Sequence, residues 1–182
     1  MSKVDKFVRK NFFKIIIGGE GATGKTSFCK RLTGKLKADE ILEMTPGVDF
    51  HSLKVKNDVL SLQFWDLGGQ EQFRYFQSDF FGGATLVVLL YAVDSYKTFK
   101  DIENWLKLLP KEMTDQIFLV GNKIDLINRS VSIDEALKYA ESHGMKYYET
   151  SALNGVGFDD FQHDLIKTIE KIYSKRKKVS SN

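Results

Sequence analysis

Three short, nearly continuous apolar runs punctuate the chain: FFKIIIG at Phe12–Gly18, TLVVLLY at Thr85–Tyr91 and QIFLVG at Gln116–Gly121. Runs of this length suit strands covered on both faces, as in a parallel sheet. MKYYET, Met145–Thr150, is a weaker fourth. VLSLQFW alternates instead, with Leu60, Leu62 and Phe64 on one face and Ser61, Gln63 and Trp65 on the other. Joined to VDFHSLKV across Lys56-Asn57-Asp58, it predicts an antiparallel hairpin at a sheet edge. Between the strands the period lengthens. Phe99, Ile102, Leu106 and Leu109 recur at helical spacing, and so do Ile133, Leu137 and Ala140 behind a Ser132…Glu135 capping box. Phe158, Phe161, Leu165, Ile169 and Ile172 stripe one side of a last helix. The order, β-α-β-β-α-β-α-β-α-β-α, predicts an α/β fold: a doubly wound, mostly parallel six-stranded sheet with one antiparallel edge strand. The expected divisions are a basic tail over 1–11, a folded domain over 12–174 and a basic tail over 175–182.

At 182 residues the chain fits one domain with a sizeable core. The longest apolar run, Leu86 to Val93, is far short of a membrane span, and MSKVDKFVRKN has no signal-peptide core. The lone cysteine, Cys29, forms no internal disulfide, so a reducing, cytoplasmic setting is expected. Cys29 and the three histidines lack metal-site spacing. Net charge is +3, yet residues 1–11 and 175–178 together carry more than that, so the body between them is mildly acidic. This charge pattern argues against a nucleic-acid-binding face.

Gly19-Glu20-Gly21-Ala22-Thr23-Gly24-Lys25-Thr26, followed by Ser27, fits G-x-x-x-x-G-K-[ST] directly after a strand and before a helix. Glycines let backbone N–H groups wrap phosphates, and the helix N-terminus adds a favourable dipole. Lys25 is expected to reach the terminal phosphates and Thr26 to ligate Mg²⁺. Asn122-Lys123-Ile124-Asp125 follows the strand Gln116–Gly121. A carboxylate there can accept from guanine N1–H and its exocyclic amine, a donor pair that adenine lacks. Thr150-Ser151-Ala152, with Leu153 after it, would bring backbone N–H groups to guanine O6.

With these motifs in order, the sequence resembles the small GTPases of the Ras superfamily over about Phe12 to Tyr173. The resemblance implies a P-loop G domain that binds GTP and GDP with Mg²⁺. Thr45 resembles the switch I threonine that closes on Mg²⁺ and the γ-phosphate. Asp66 resembles the residue that holds Mg²⁺ through water. Gly69 resembles the glycine whose N–H senses the γ-phosphate, and Gln70 the residue that orients the attacking water. Switch II would span Asp66–Arg74. GVDF, LQFW and YAVD look Rab-like, whereas WDLGGQ reads like the Arf and Gα pattern. Phe50, Trp65 and Phe80 resemble the aromatic triad that Rab proteins present to effectors. Trp65 thus either anchors a partner or packs under the switch loops, and the sequence leaves both open.

The chain also departs from the family. KRKKVSSN has no cysteine for prenylation, and residue 2 is Ser, so no lipid anchor is expected. Ala38 stands seven residues before Thr45, where relatives stack a phenylalanine on guanine. Leu153 replaces the lysine after Ser-Ala. Glu43 and Met44 precede Thr45, so the cis arginine of Gα is missing. The resemblance therefore implies a monomeric switch with slow hydrolysis, dependent on an activating protein, an exchange factor and effectors. The basic tails are either solvated or a weak membrane contact. Two other readings are a nucleotide kinase, opposed by NKID and GGQ, and a non-hydrolysing GTP-bound scaffold, opposed by Gln70, Thr45 and Gly21.

Overall fold

The computed structural model describes residues 11–38, 40, 43–70, 79–110, 113 and 116–179. The apolar runs form strands β1 (Phe12–Gly18), β4 (Leu86–Ala92) and β5 (Ile117–Asn122), and the weaker run gives β6 (Lys146–Thr150). The alternating pair forms β2 (Val48–Val55) and β3 (Leu60–Leu67). The sheet order is β2-β3-β1-β4-β5-β6, and only the β2–β3 pairing is antiparallel. The hairpin register sets Phe50 opposite Trp65 and Asp49 opposite Asp66.

Both faces of the sheet are covered, which is why the central strands read as unbroken apolar runs. On one face Phe13, Ile15 and Ile17 of β1 pack with Phe28 and Cys29 of α1 (Lys25–Leu32) and with Phe158, Phe161 and Leu165 of α5 (Phe158–Val179). On the other, Ile16, Val87, Leu89 and Tyr91 meet Phe99 of α2 (Tyr96–Lys100), Ile102 and Trp105 of α3 (Ile102–Leu106), and Ala136 and Ala140 of α4 (Ile133–Ser142).

Two helices differ from the pattern. The segment expected as one helix from Phe99 divides at Asp101, whose carbonyl accepts from Asn104 at 2.9 Å and from Trp105 at 3.3 Å. Three-residue bonds tighten the turn, so the buried side chains are Phe99, Ile102 and Trp105, three residues apart. Leu106 and Leu109 are only half-buried there. In α4 the core face is Ala136 and Ala140, while Ile133 and Leu137 are 47% and 38% exposed. The cap itself stands: Glu135 N–H donates to Ser132 Oγ at 3.2 Å.

The last helix continues through Lys175–Lys178. The Arg176 guanidinium lies 4.8 Å from the Phe13 ring centre and donates to Thr85 Oγ1 at 3.3 Å. No helix among the described residues is long and apolar enough to cross a membrane. Residues 1–10 of the N-terminal tail and residues 71–78, which hold most of the helix expected between β3 and β4 and the part of switch II from 71 to Arg74, lie outside the described residues.

Candidate nucleotide-binding site

The C-terminal ends of the parallel strands open onto one groove, the place where a doubly wound sheet leaves a crevice. β1 leads into the phosphate loop, β3 carries Asp66 one residue before its end, β5 ends in Asn122 and β6 in Thr150. One part of the groove is a cavity of about 330 Å³ lined by Gly21, Gly24, Lys25, Thr26, Thr45 and Gly69 among others. The other is a cavity of about 530 Å³ walled by Arg31, Leu36, Ala38, Asn122, Asp125 and Leu153 among others. Gly24, Ser27 and Lys123 border both, which makes the groove continuous.

The phosphate loop closes on its own lysine. Lys25 Nζ donates to the carbonyls of Gly19 at 2.9 Å and Glu20 at 2.8 Å. Thr23 Oγ1 donates to Glu20 O at 3.0 Å, and Glu20 Oε1 accepts from Gly21 N–H at 3.0 Å. Gly24 caps α1 at φ 88°, and a Cβ there would stand 2.5 Å from Asn122 Nδ2. Both facts demand glycine.

Burial pulls Lys25 down to about 8, against the opposing pull of Asp66 and Glu20. The sign follows. Phosphates would restore the charged form, so binding takes up a proton at and above about pH 8, and affinity falls as pH rises through that value. Titration calorimetry of GDP at pH 8.5, in two buffers of different ionisation heat, is expected to report proton uptake. Lys25→Arg should abolish it, because the guanidinium stays charged. Equal heats in both buffers for the parent protein would contradict this account.

Thr26, Thr45 and Asp66 converge at the other wall. Thr26 Oγ1 donates to Asp66 Oδ2 at 2.6 Å and is 2.9 Å from Thr45 Oγ1. Thr45 Oγ1 is 3.4 Å from the same Asp66 oxygen. Asp66 is fully buried, and its Oδ1 has no hydrogen-bond partner. Burial raises its pKa, with the Thr26 hydrogen bond opposing. A trio of hard oxygens with one orphaned buried carboxylate oxygen fits Mg²⁺. Gly68 N–H donates to Gly47 O at 2.6 Å, joining the segment after β3 to the one before β2. Gln70 lies beside this wall, its Nε2 donating to Met44 Sδ at 3.7 Å.

Asn122 ties the base loops to the phosphate loop. Its Nδ2 donates to Thr23 O at 2.9 Å, and its Oδ1 accepts from Thr150 Oγ1 at 3.2 Å and Ala152 N–H at 3.1 Å. Ser151 Oγ donates to Asp125 Oδ1 at 2.5 Å. Below them Arg129 grips Glu149 through two bonds of 2.7 and 2.9 Å. Residues absent from the sequence reading also line the groove: Arg31, Leu36, Lys37 and Glu40 at the base end. Met44 and Glu43 line the phosphate end. Charge complementarity was the available signal for one contact, since Lys30 and Glu40 pair at 2.5 Å.

The aromatic trio assembles away from the groove. Phe50 meets Trp65 edge-on at 4.8 Å, and Trp65 lies 6.0 Å from Phe80. Phe50 is 49% exposed, whereas Trp65 and Phe80 are half-buried. Lys14 Nζ stands 3.6 Å from the Trp65 ring centre and donates to Gly82 O at 3.1 Å. Trp65 therefore packs and remains partly accessible at once.

The Ras family model matches residues 14–171 of the chain. The chain is 37% identical over 171 residues to Ras-related protein Rab-11C of Dictyostelium discoideum, covering 91% of this chain and 75% of that one. It is 34% identical over 170 residues to Ras-related protein RABA1i of Arabidopsis thaliana, covering 90% and 77%. Ras-related protein Rab-1 of Theileria parva is 40% identical over 146 residues, 77% of this chain and 66% of that protein.

Proposed function

The chain belongs to the Ras family and is a small, Rab-like GTPase, and from that premise we propose a Mg²⁺-dependent molecular switch that hydrolyses GTP slowly and regulates trafficking or signalling. The observation that carries this reading is the meeting of two cavities in one groove. One is edged by Asp125, and the other is walled by Lys25, Thr26, Thr45 and Gly69. Residues 12–174 would form the G domain.

In this reading Gly19–Ser27 wrap the phosphates, and Lys25 trades its carbonyl partners for phosphate oxygens. Asn122, Lys123, Asp125, Ser151, Ala152 and Leu153 hold the base. Thr26, Thr45 and, through water, Asp66 would hold Mg²⁺, which supplies charge neutralisation on the phosphates. Thr45 and Gly69 bind the γ-phosphate end, so losing that phosphate releases both segments. Gln70 orients the attacking water, and backbone N–H groups stabilise the charge that develops. Phe50, Trp65 and Phe80 form an effector platform. Effectors, an exchange factor and an activating protein are the expected partners. Any membrane contact is peripheral and weak.

Glu43 and Met44 bring no cation to the phosphate end. Intrinsic hydrolysis should thus run on the order of 10⁻⁴ to 10⁻³ s⁻¹, and an arginine supplied by a partner should raise it roughly 10³- to 10⁵-fold. Single-turnover phosphate release from GTP-loaded protein measures this. Gln70→Leu should slow release at least about tenfold. A parent rate near that of activated relatives would sink the proposal.

A further inference from the structure

The residue after Ser151-Ala152 is Leu153, 72% exposed, whose side chain offers the base loop no polar fastening. The fastening comes from α1 instead. Arg31 Nε donates to the carbonyl of Ala152, and Arg31 Nη2 donates to the carbonyl of Leu153 at 2.6 Å. These are two charge-assisted bonds from one planar fork to two successive carbonyls. The half-buried Arg31 side chain also walls the base cavity. The fit is close: a Cβ at Gly155 would stand 3.1 Å from Arg31 Nη1. The helix carrying Arg31 begins at Lys25, inside the phosphate loop, so one rigid element touches both ends of the groove.

We infer that Arg31 is a positioning residue for guanine selectivity: by gripping the Ala152 and Leu153 carbonyls it holds the Ala152–Leu153 peptide, and with it the Leu153 N–H, where guanine O6 must be read. The inference rests on the reading of this cavity as a guanine site. An amide aimed by a rotating peptide plane discriminates poorly, because a hydrogen bond weakens steeply off its line. The Ala152 carbonyl and the Leu153 N–H share one peptide plane, so fixing the first aims the second, while Asn122 Oδ1 already holds the Ala152 N–H. The same grip links phosphate binding to base binding, since displacing α1 would displace the base loop with it. Lysine has donors enough for both carbonyls but no planar fork to fix their mutual orientation, so it would hold them less firmly.

The test measures release rates from full-length protein for GDP, ADP and the diphosphate of 2-aminopurine riboside, which lacks O6. Arg31→Ala should release GDP roughly tenfold faster. It should change release of the O6-lacking analogue by less than about threefold, so the ratio between the two narrows. Arg31→Lys should fall between parent and Arg31→Ala, and it carries the test if Arg31→Ala fails to fold. Two results overturn the inference: GDP release within about twofold of the parent, or equal acceleration of GDP and the analogue, the mark of a merely structural role. A parent protein that holds ADP as firmly as GDP would instead overturn the guanine reading itself.

Discussion

Asp125→Asn should cost the protein its preference for guanine nucleotides, weakening GDP binding by about 10⁴-fold relative to the parent. The carboxylate is acceptor-only, and one oxygen already accepts from Ser151 Oγ. Guanine brings two donors along one edge. An asparagine replaces one acceptor with a donor, so a donor faces a donor inside a partly buried cavity, and the cost is an unpaired polar group. The fold should survive, because the carboxylate lies at the groove and not in either core. A base with a carbonyl at the 2-position, as in xanthine, offers the acceptor that asparagine needs. Competition between GDP and xanthosine diphosphate on the variant checks this. The expected order reverses. GDP affinity within about tenfold of the parent would contradict the role given to Asp125.

Gly69→Ala is expected to keep GDP and lose the switch. A Cβ at position 69 would stand 2.4 Å from Gly21 N and 2.4 Å from the carbonyl carbon of Glu20. Both are backbone atoms of the phosphate loop, so no rotamer change relieves the clash. The segment after β3 must then back away from the loop, taking the Gly69 N–H and the following Gln70 with it. Single-turnover hydrolysis should fall at least about 10²-fold, the usual cost of misplacing a backbone donor at developing charge. GDP release should change by less than about threefold, since the base cavity does not include Gly69. Parent-level hydrolysis in this variant would show that the approach of Gly69 to the loop is incidental.

What could be read from the sequence follows from how far each feature reaches along the chain. The phosphate loop and Asn122–Asp125 are contiguous motifs at strand ends, so residue type and local pattern sufficed. The β2–β3 hairpin was readable because alternation reports a half-covered strand directly. Thr45 and Asp66 carry no local signature, and only the resemblance marked them; the structure brings their side chains to one point with Thr26. Arg31 carries no local signal in the sequence, because its contact spans 121 residues. In α4 the spacing of the larger apolar residues, Ile133 and Leu137, predicts that they define the core face. Alanines define it instead, where small side chains let the helix approach the sheet closely, and Ile133 and Leu137 turn outward. Between Phe99 and Trp105 the sequence spacing predicts a 3.6-residue period, whereas tightened turns put every third residue inward.

The central claim is that this groove retains guanine nucleotide and turns GTP over. The most direct measurement purifies the protein without added nucleotide, denatures it and identifies by chromatography what it releases. The account predicts GDP near one equivalent, the product kept after slow hydrolysis. Stoichiometric GTP would contradict the turnover and favour a permanently loaded scaffold, and an adenine nucleotide would contradict the reading of Asp125.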